Sequence, residues 1–463
     1  MKTKIAITGS FIMLMILICG CKKGFLDAKP SSAIIEPTTL DDFQSLLENV
    51  TNSASSPALA TMSADEYDFI NYAAFQSTTT ATERNAYIWA KDIFGGEINA
   101  GDWNGPYTNI FYSNNVLAGL DKLKGTETDV ARLNYLRGWA LFQRAFAYYD
   151  LVDNFSPVYD PNTAATDLGV PIKLNPSVDD IQPRGTVQKT YDQIFSDLNT
   201  AMPLLVPNIP VKNREQPSKV AAHALLARIY LNMRKYDLAE LQADSALQLY
   251  SSLIDYNSVS LTSTTPFTQT NDELIFFKSA IAKYPSTITF LNSFVTIRPS
   301  LIGLYNSNDL RLGLYFVVRP GGSTAIKRQY DGNQTLYPFT GLAVDEVYLI
   351  KSECSARRND LGTALTYLNK LLIKRYVNNT FTPVTATSQT DLLAKIIMER
   401  QKELVWRNLR WDDIKRLNKE GANIVLTRLL NGQTYTLPAN DPRYVFPIPA
   451  NEIQLGGIPQ NIR

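Results

Sequence analysis

The chain has 463 residues, with 45 Lys+Arg against 44 Asp+Glu, a formal charge of +1, one histidine and three cysteines. Near-neutrality implies no polyanion-binding surface and disfavours a nucleic-acid-binding class. A single histidine disfavours His-rich metal sites and His-centred triads, and so few cysteines disfavour a disulfide framework.

Lys2 and Lys4 precede an apolar run from Ile5 to Ile18. That run is shorter than the roughly 20 residues of a spanning helix, and it predicts a signal peptide over residues 1–20. It ends in Ile18-Cys19-Gly20-Cys21, which resembles the lipobox of bacterial lipoproteins, with Cys21 as the first mature residue and the lipid carrier. Loss of the leader removes two lysines and no acids, so +1 − 2 leaves −1. Cys19 leaves with it, Cys21 is lipidated and Cys354 stands alone, so a packed core must hold residues 22–463 as one domain.

In chain order, a helix is expected over residues 40–48, capped by Thr38 or Thr39. Residues 52–102 are rich in Ser, Thr, Ala and aromatics with weak helical period, which predicts loops and short helices. Helices follow over 103–122, with Trp103, Tyr107, Ile110 and Val116 at helical spacing, and over 128–151, apolar on most sides. A proline-rich stretch reaches residue 184, then a helix covers 186–205.

Residues 217–250 match the 34-residue tetratricopeptide template, with Leu226, Ala227, Tyr230, Ala239 and Ala246 at its aliphatic, small and aromatic positions. The turn falls at residues 234–236. Such a pair buries its apolar face only by stacking on further helices. Residues 255–341 change character: they are Ser/Thr- and Pro-rich, with a strand expected over 314–318 and a turn at Pro320-Gly321-Gly322. Helices resume over 343–357, 361–375 and 390–406, followed by a charged segment to Leu417 and a proline-marked tail.

Several pieces, in order, resemble the SusD/RagB family of outer-membrane nutrient-binding lipoproteins. They are the lipobox with Phe25-Leu26-Asp27, the Trp103/Tyr107/Ile110 helix, Arg144-Ala145, Gly169-Val170-Pro171, and Glu346-x-Tyr348-Leu349-Ile350-x-x-Glu353. Glu399-Arg400-x-x-Glu403-Leu404, Arg410-x-Asp412, Pro447-Ile448-Pro449 and Gln460-Asn461 complete the set. Arg407-Asn408 stands where the family often has Glu-Gly, and Lys22-Lys23 where an acidic pair often follows the cysteine. The resemblance implies a mostly α fold, SusD-like, with four tetratricopeptide-like helix pairs and a loop-rich ligand-binding half. It further implies a non-catalytic, cofactor-free receptor for a glycan or a peptide. Such a receptor is lipid-anchored on the outer membrane and serves as lid to a SusC-like TonB-dependent β-barrel transporter.

Exposed aromatic rings match the C–H face of a sugar, and nearby polar groups fix its orientation. On the loop-rich half this selects Asp65, Tyr67, Trp89, Trp103, Asn104, Tyr284, Phe290 and Arg298 as ligand-binding candidates. His223 reads as a helix-interface residue. Glu399 and Glu403, one helical turn apart, have the minimum for glycoside hydrolysis, but Glu403/Arg407 and Asp412/Arg416 have the spacing of surface ion pairs. A hydrolase is therefore the weaker reading. A third, a helical-repeat interaction scaffold, would bury the loop aromatics.

Overall fold

The computed structural model describes residues 37–49, 55–98, 100–327, 330 and 335–463. The signal peptide, Cys21 and Phe25-Leu26-Asp27 lie outside the described residues. Helix α1 (Leu40–Leu47) starts where Thr39 accepts a hydrogen bond from the Asp42 amide while the Asp42 carboxylate accepts from the Thr39 amide. Long helices α2 (Gly101–Leu123) and α3 (Val130–Phe155) follow, then α4 (Val187–Ala201), capped by Thr186. Among them α3 is buried around nearly its whole circumference from Gly138 onward, because α2 and α4 both pack on it.

The tetratricopeptide stretch forms α5 (Lys219–Asn232) and α6 (Tyr236–Leu249). Ser218 caps α5, and Arg234, at φ +60°, reverses the chain between them. Ala227 on α5 and Ala239 and Ala246 on α6 are buried, so small side chains let the two helices approach. Tyr230 stacks on Phe195 of α4 at 5.0 Å, and His223 Nδ1 lies 2.7 Å from Gln242 Oε1, joining α5 to α6. Helices α7 (Val344–Arg357) and α8 (Leu361–Leu372) extend the stack, with α7 on α6, and α9 (Gln389–Glu403) packs on α7.

Three features depart from expectation. The charged segment to Leu417 contains a helix, α10 (Arg410–Lys419), whose Trp411, Ile414 and Leu417 recur at helical spacing on a buried face. The tail folds a hairpin of Leu426–Leu430 against Gln433–Leu437, turned by Asn431-Gly432 at φ +50° and +76°. The strand expected over 314–318 starts later: Arg311–Tyr315 is a short helix, and Phe316–Val318 pairs with Thr324–Ile326 around the glycine turn.

The family-like motifs owe their residue types to buried charge pairs, not to surface ones. Arg228 of α5 meets Glu346 of α7 at 2.6 Å, Arg400 of α9 meets Asp413 of α10 at 2.9 Å, and Arg416 of α10 meets Glu353 of α7 at 2.6 Å. The expected pairs along one helix are therefore replaced: Arg407 pairs with Asp345 at 2.5 Å, and Glu403 with Arg311 and Arg375. Burial opposes ionisation of Glu353, yet Arg416 and Arg357 outweigh it and hold the carboxyl down to about 2. After α9, Trp406 and Asn408 both take positive φ, which asparagine tolerates well. The turn is pinned: Trp406 N–H donates to Glu66, and Asn408 Oδ1 accepts from Thr61.

Candidate ligand-binding cleft

An open cleft of about 630 Å³ lies between the first half of α2, the segment 171–182 and the short helix Ala450–Gly456. Its volume lies in the range of small-molecule sites, about 300–1,000 Å³. Trp103, Ile110 and Ile458, all buried, form the floor. Tyr107, Phe111 and Tyr112 stand half-buried in the wall, with Asn104, Thr108, Asn175 and Gln182 as polar groups. Tyr107 donates its hydroxyl to Pro171 O at 2.9 Å, tying α2 to the opposite wall, and the rim carries Val178, Ile181 and Leu455, which are 73%, 65% and 74% exposed.

Of the eight candidates, the structure places Trp103 and Asn104 in this cleft. Trp103 contributes as floor, edge-on to Phe155 at 5.0 Å. The other six lie elsewhere. Residues 67–69 pair with 295–297, which brings Asp65, Tyr67 and Arg298 near one another. Tyr67 is fully buried, with its hydroxyl on Met62 O, and Trp89 is buried with Nε1 on Ser63 O. Arg428, from the tail hairpin, inserts beside both rings and lies 3.7 Å from the centre of Tyr87. Asp65 is bound by Arg410 at 2.8 Å, and Arg298 by Asp68 at 2.9 Å and Thr427 O at 2.9 Å. Tyr284 is buried on the Asp102 carboxylate, and Phe290 in the aromatic core.

The requirement for an exposed ring is thus not met at Tyr67, Trp89, Tyr284 or Phe290, nor at Trp103, which is buried although it floors the cleft. Packing of the loop-rich half consumes these side chains, since large aromatics bury about 150–250 Å² each. Sequence reasoning assigned Tyr107 to packing alone and missed Phe111, Tyr112, Asn175 and Gln182. The available signal was that α2 stays aromatic beyond the single stripe its packing needs.

Glu399 and Glu403 line no cleft among those described, and both are buried. Glu403 lies between Arg311 Nη1 at 2.8 Å and Arg375 Nε at 2.7 Å, while Glu399 meets Arg311 at 2.7 Å and Lys402 at 2.8 Å. Next to them, carboxylate oxygens of Glu273, Asp345 and Glu403 converge within 4.8 Å of one another. The compensating charge comes from the protein: Arg375 meets Glu273 and Glu403, and Arg407 meets Asp345. Burial pushes the Glu273 carboxyl up to about 7 and also raises Asp345, while the Tyr330 hydroxyl contacts both. This is a neutralised structural network, not a hydrolytic pair.

A stack of helix pairs beside a loop-rich half, with an open cleft and its paired carboxylates locked in ion pairs, defines a binding protein of the tetratricopeptide-scaffold type. Residues 24–231 match a family model described as SusD-like, "starch-binding associating with outer membrane", and residues 323–461 match the SusD family model itself. The chain belongs to the SusD/RagB family, whose members are non-catalytic binding proteins.

Solved structures agree in fold. A SusD superfamily protein from Bacteroides thetaiotaomicron superposes with a TM-score of 0.73 at 22% identity, covering 92% of this chain and 100% of its own. One from Bacteroides fragilis gives 0.73 at 19%, covering 91% and 99%. A SusD-like carbohydrate-binding protein from Bacteroides vulgatus gives 0.68 at 20%, covering 91% and 97%. No curated protein matches the sequence.

Proposed function

We propose that this chain is a lipid-anchored oligosaccharide receptor on the outer face of the outer membrane. In this reading it serves as lid to a TonB-dependent β-barrel transporter. The observation that carries the reading is the cleft on α2, where half-buried aromatic rings stand beside amide and hydroxyl groups. Rings cover the C–H faces of sugars while the polar groups orient their hydroxyls. A few such contacts give millimolar to micromolar affinity, about −4 to −8 kcal/mol, which permits release to a transporter. The exposed apolar rim of Val178, Ile181 and Leu455 is the surface we assign to the transporter, because exposed apolar patches mark interaction sites.

A second reading, an interaction scaffold without a small ligand, is favoured by the burial of Tyr67, Trp89, Tyr284 and Phe290. Calorimetric titration with oligosaccharides and peptides, beside copurification from solubilised outer membrane, separates the two. Saturable heat with sugars that Tyr112→Ala weakens supports the receptor. Heat with peptides alone moves the ligand class, and copurification with silent calorimetry supports the scaffold.

A further inference from the structure

A charge that the fold leaves unused is open to a ligand, and the lining of the α2 cleft carries one. Tyrosines aside, its ionisable side chains are Lys173 and Glu452. The charges around them have internal partners. Arg144, behind the floor, meets Asp197 at 2.6 Å and donates to Asn114 Oδ1. The Arg184 guanidinium donates to the carbonyls of Gly169, Leu168, Phe155 and Pro459. At the edge, Asp180 accepts from Asn175 Nδ2 at 2.9 Å and from Gln182 Nε2 at 2.5 Å.

Lys173 differs. Its main chain is clamped from two helices: the Tyr148 hydroxyl on α3 lies 2.6 Å from its carbonyl oxygen and 2.7 Å from its amide nitrogen, and Asn114 Nδ2 on α2 donates to the same carbonyl at 3.0 Å. With both backbone groups turned to α2 and α3, the residue meets the cleft through its side chain. That side chain is half-buried, and its ammonium makes no ion pair, hydrogen bond or ring contact among the described residues. Glu452 stands on a different wall, the short helix, with one oxygen accepting from Asn451 Nδ2 at 3.2 Å.

The two charges need different partners. A carboxylate only accepts, and sugar hydroxyls donate to it, whereas an ammonium only donates. A ligand that fills the cleft strips water from the ammonium, and neutral hydroxyls return only part of that solvation. A carboxylate or sulfate returns more, through a charge-assisted hydrogen bond.

We propose that this cleft takes acidic oligosaccharides, with Lys173 as the residue that binds the ligand's carboxylate or sulfate. The proposal rests on the oligosaccharide reading above. Hydroxyls of the same ligand donate to Glu452, and its ring faces cover Tyr107, Phe111 and Tyr112. Repulsion from Glu452 confines the acidic group to the Lys173 wall, which sets the direction in which the saccharide lies.

The test is an array of neutral, uronate-bearing and sulfated oligosaccharides probed with the full solubilised chain, followed by calorimetry of the best binder against wild type, Lys173→Met and Lys173→Arg at low and high salt. An acidic glycan is expected to bind tightest; a uronate in first place or a sulfate in first place both support the proposal and name the acid. Lys173→Met should weaken that glycan about ten- to a hundredfold, the scale of a hydrogen bond to a charged group, with the melting temperature unchanged, and Lys173→Arg should restore most of the loss. Raised salt should weaken binding to wild type more than to Lys173→Met. A neutral glycan bound more tightly than every acidic one overturns the proposal and leaves the receptor standing. So does a Lys173→Met chain that melts with wild type and holds the acidic glycan equally well. Retention of no glycan at all overturns the oligosaccharide reading itself.

Discussion

Replacing Glu403 by Gln separates a structural carboxylate from a catalytic one. Its two oxygens accept from Arg375 Nε at 2.7 Å and Arg311 Nη1 at 2.8 Å, inside a site with no measurable solvent access to the three side chains. Burial opposes its ionisation, but Arg375 and Arg311 outweigh that and hold the carboxyl below its ordinary range. Removing one partner of a buried pair costs about 3–5 kcal/mol. Here Arg311 keeps Asp309 and Glu399, and Arg375 keeps Glu273, so the lower end, about 3 kcal/mol, is expected. With an unfolding entropy of roughly 2.1 cal/mol/K per residue over this length, that is about 3 °C in melting temperature. The sign with pH follows: a depressed carboxyl adds stability above its unfolded value near 4.5, and the gain disappears as pH falls through the folded value. Differential scanning calorimetry at pH 7 and at pH 4 checks both statements. A Glu403→Gln chain melting with wild type at pH 7 would refute the network argument, and any glycoside turnover lost in it would revive the hydrolase.

Glu66 makes the opposite pH prediction. Burial is the largest cause that pushes its carboxyl up to about 8, while the Trp406 N–H lowers it in part. The folded state then holds a proton that the unfolded state releases above about 4.5, so stability falls between about pH 4.5 and pH 8. Glu66→Gln keeps the acceptor for Trp406 and should melt with wild type at pH 5 but several degrees higher at pH 8; identical curves at both values would count against it. Gly169→Ala should destabilise by about 1–3 kcal/mol through overpacking, because a Cβ would sit 2.4 Å from Thr186 O and 2.5 Å from Thr190 Oγ1; urea denaturation reads it. Cys21→Ala should move the protein from the membrane fraction to the soluble one, and retention in the membrane would remove the anchor from the proposal.

Much of the scaffold was legible because its signals are local. The cap at Thr39, the small residues of α5 and α6, and the apolar girth of α3 all act within a few turns of chain. Helix α10 was not legible as a helix because its charges read as solvent-facing. In the fold Asp413, Lys415 and Arg416 are buried against partners far off in sequence, such as Glu353 and Asp153. The tail hairpin was readable from Asn431-Gly432 between alternating residues and was passed over for the prolines that follow.

The candidate site was less legible, and the reason is competition for aromatic rings. An aromatic residue in an irregular segment is suited to a ligand only if nothing else in the fold needs its surface. In this chain the loop-rich half has few long elements, so it builds its core from rings on a short strand and short helices: Tyr67, Phe69, Phe75 and Tyr87 pack edge to face, and Trp406 arrives from the far end of α9. Arg428 then closes the cluster, its charge opposed by ring faces and by the carbonyls of Met62 and Ala64. A long helix is differently placed. Helix α2 buries Val116 and Leu120 against α1 and α3 at its far end, while near its start one side faces the cleft. There Tyr107, Phe111 and Tyr112 keep part of their surface. The regular element therefore offers aromatic surface to a ligand where the loop rings chosen from the sequence do not.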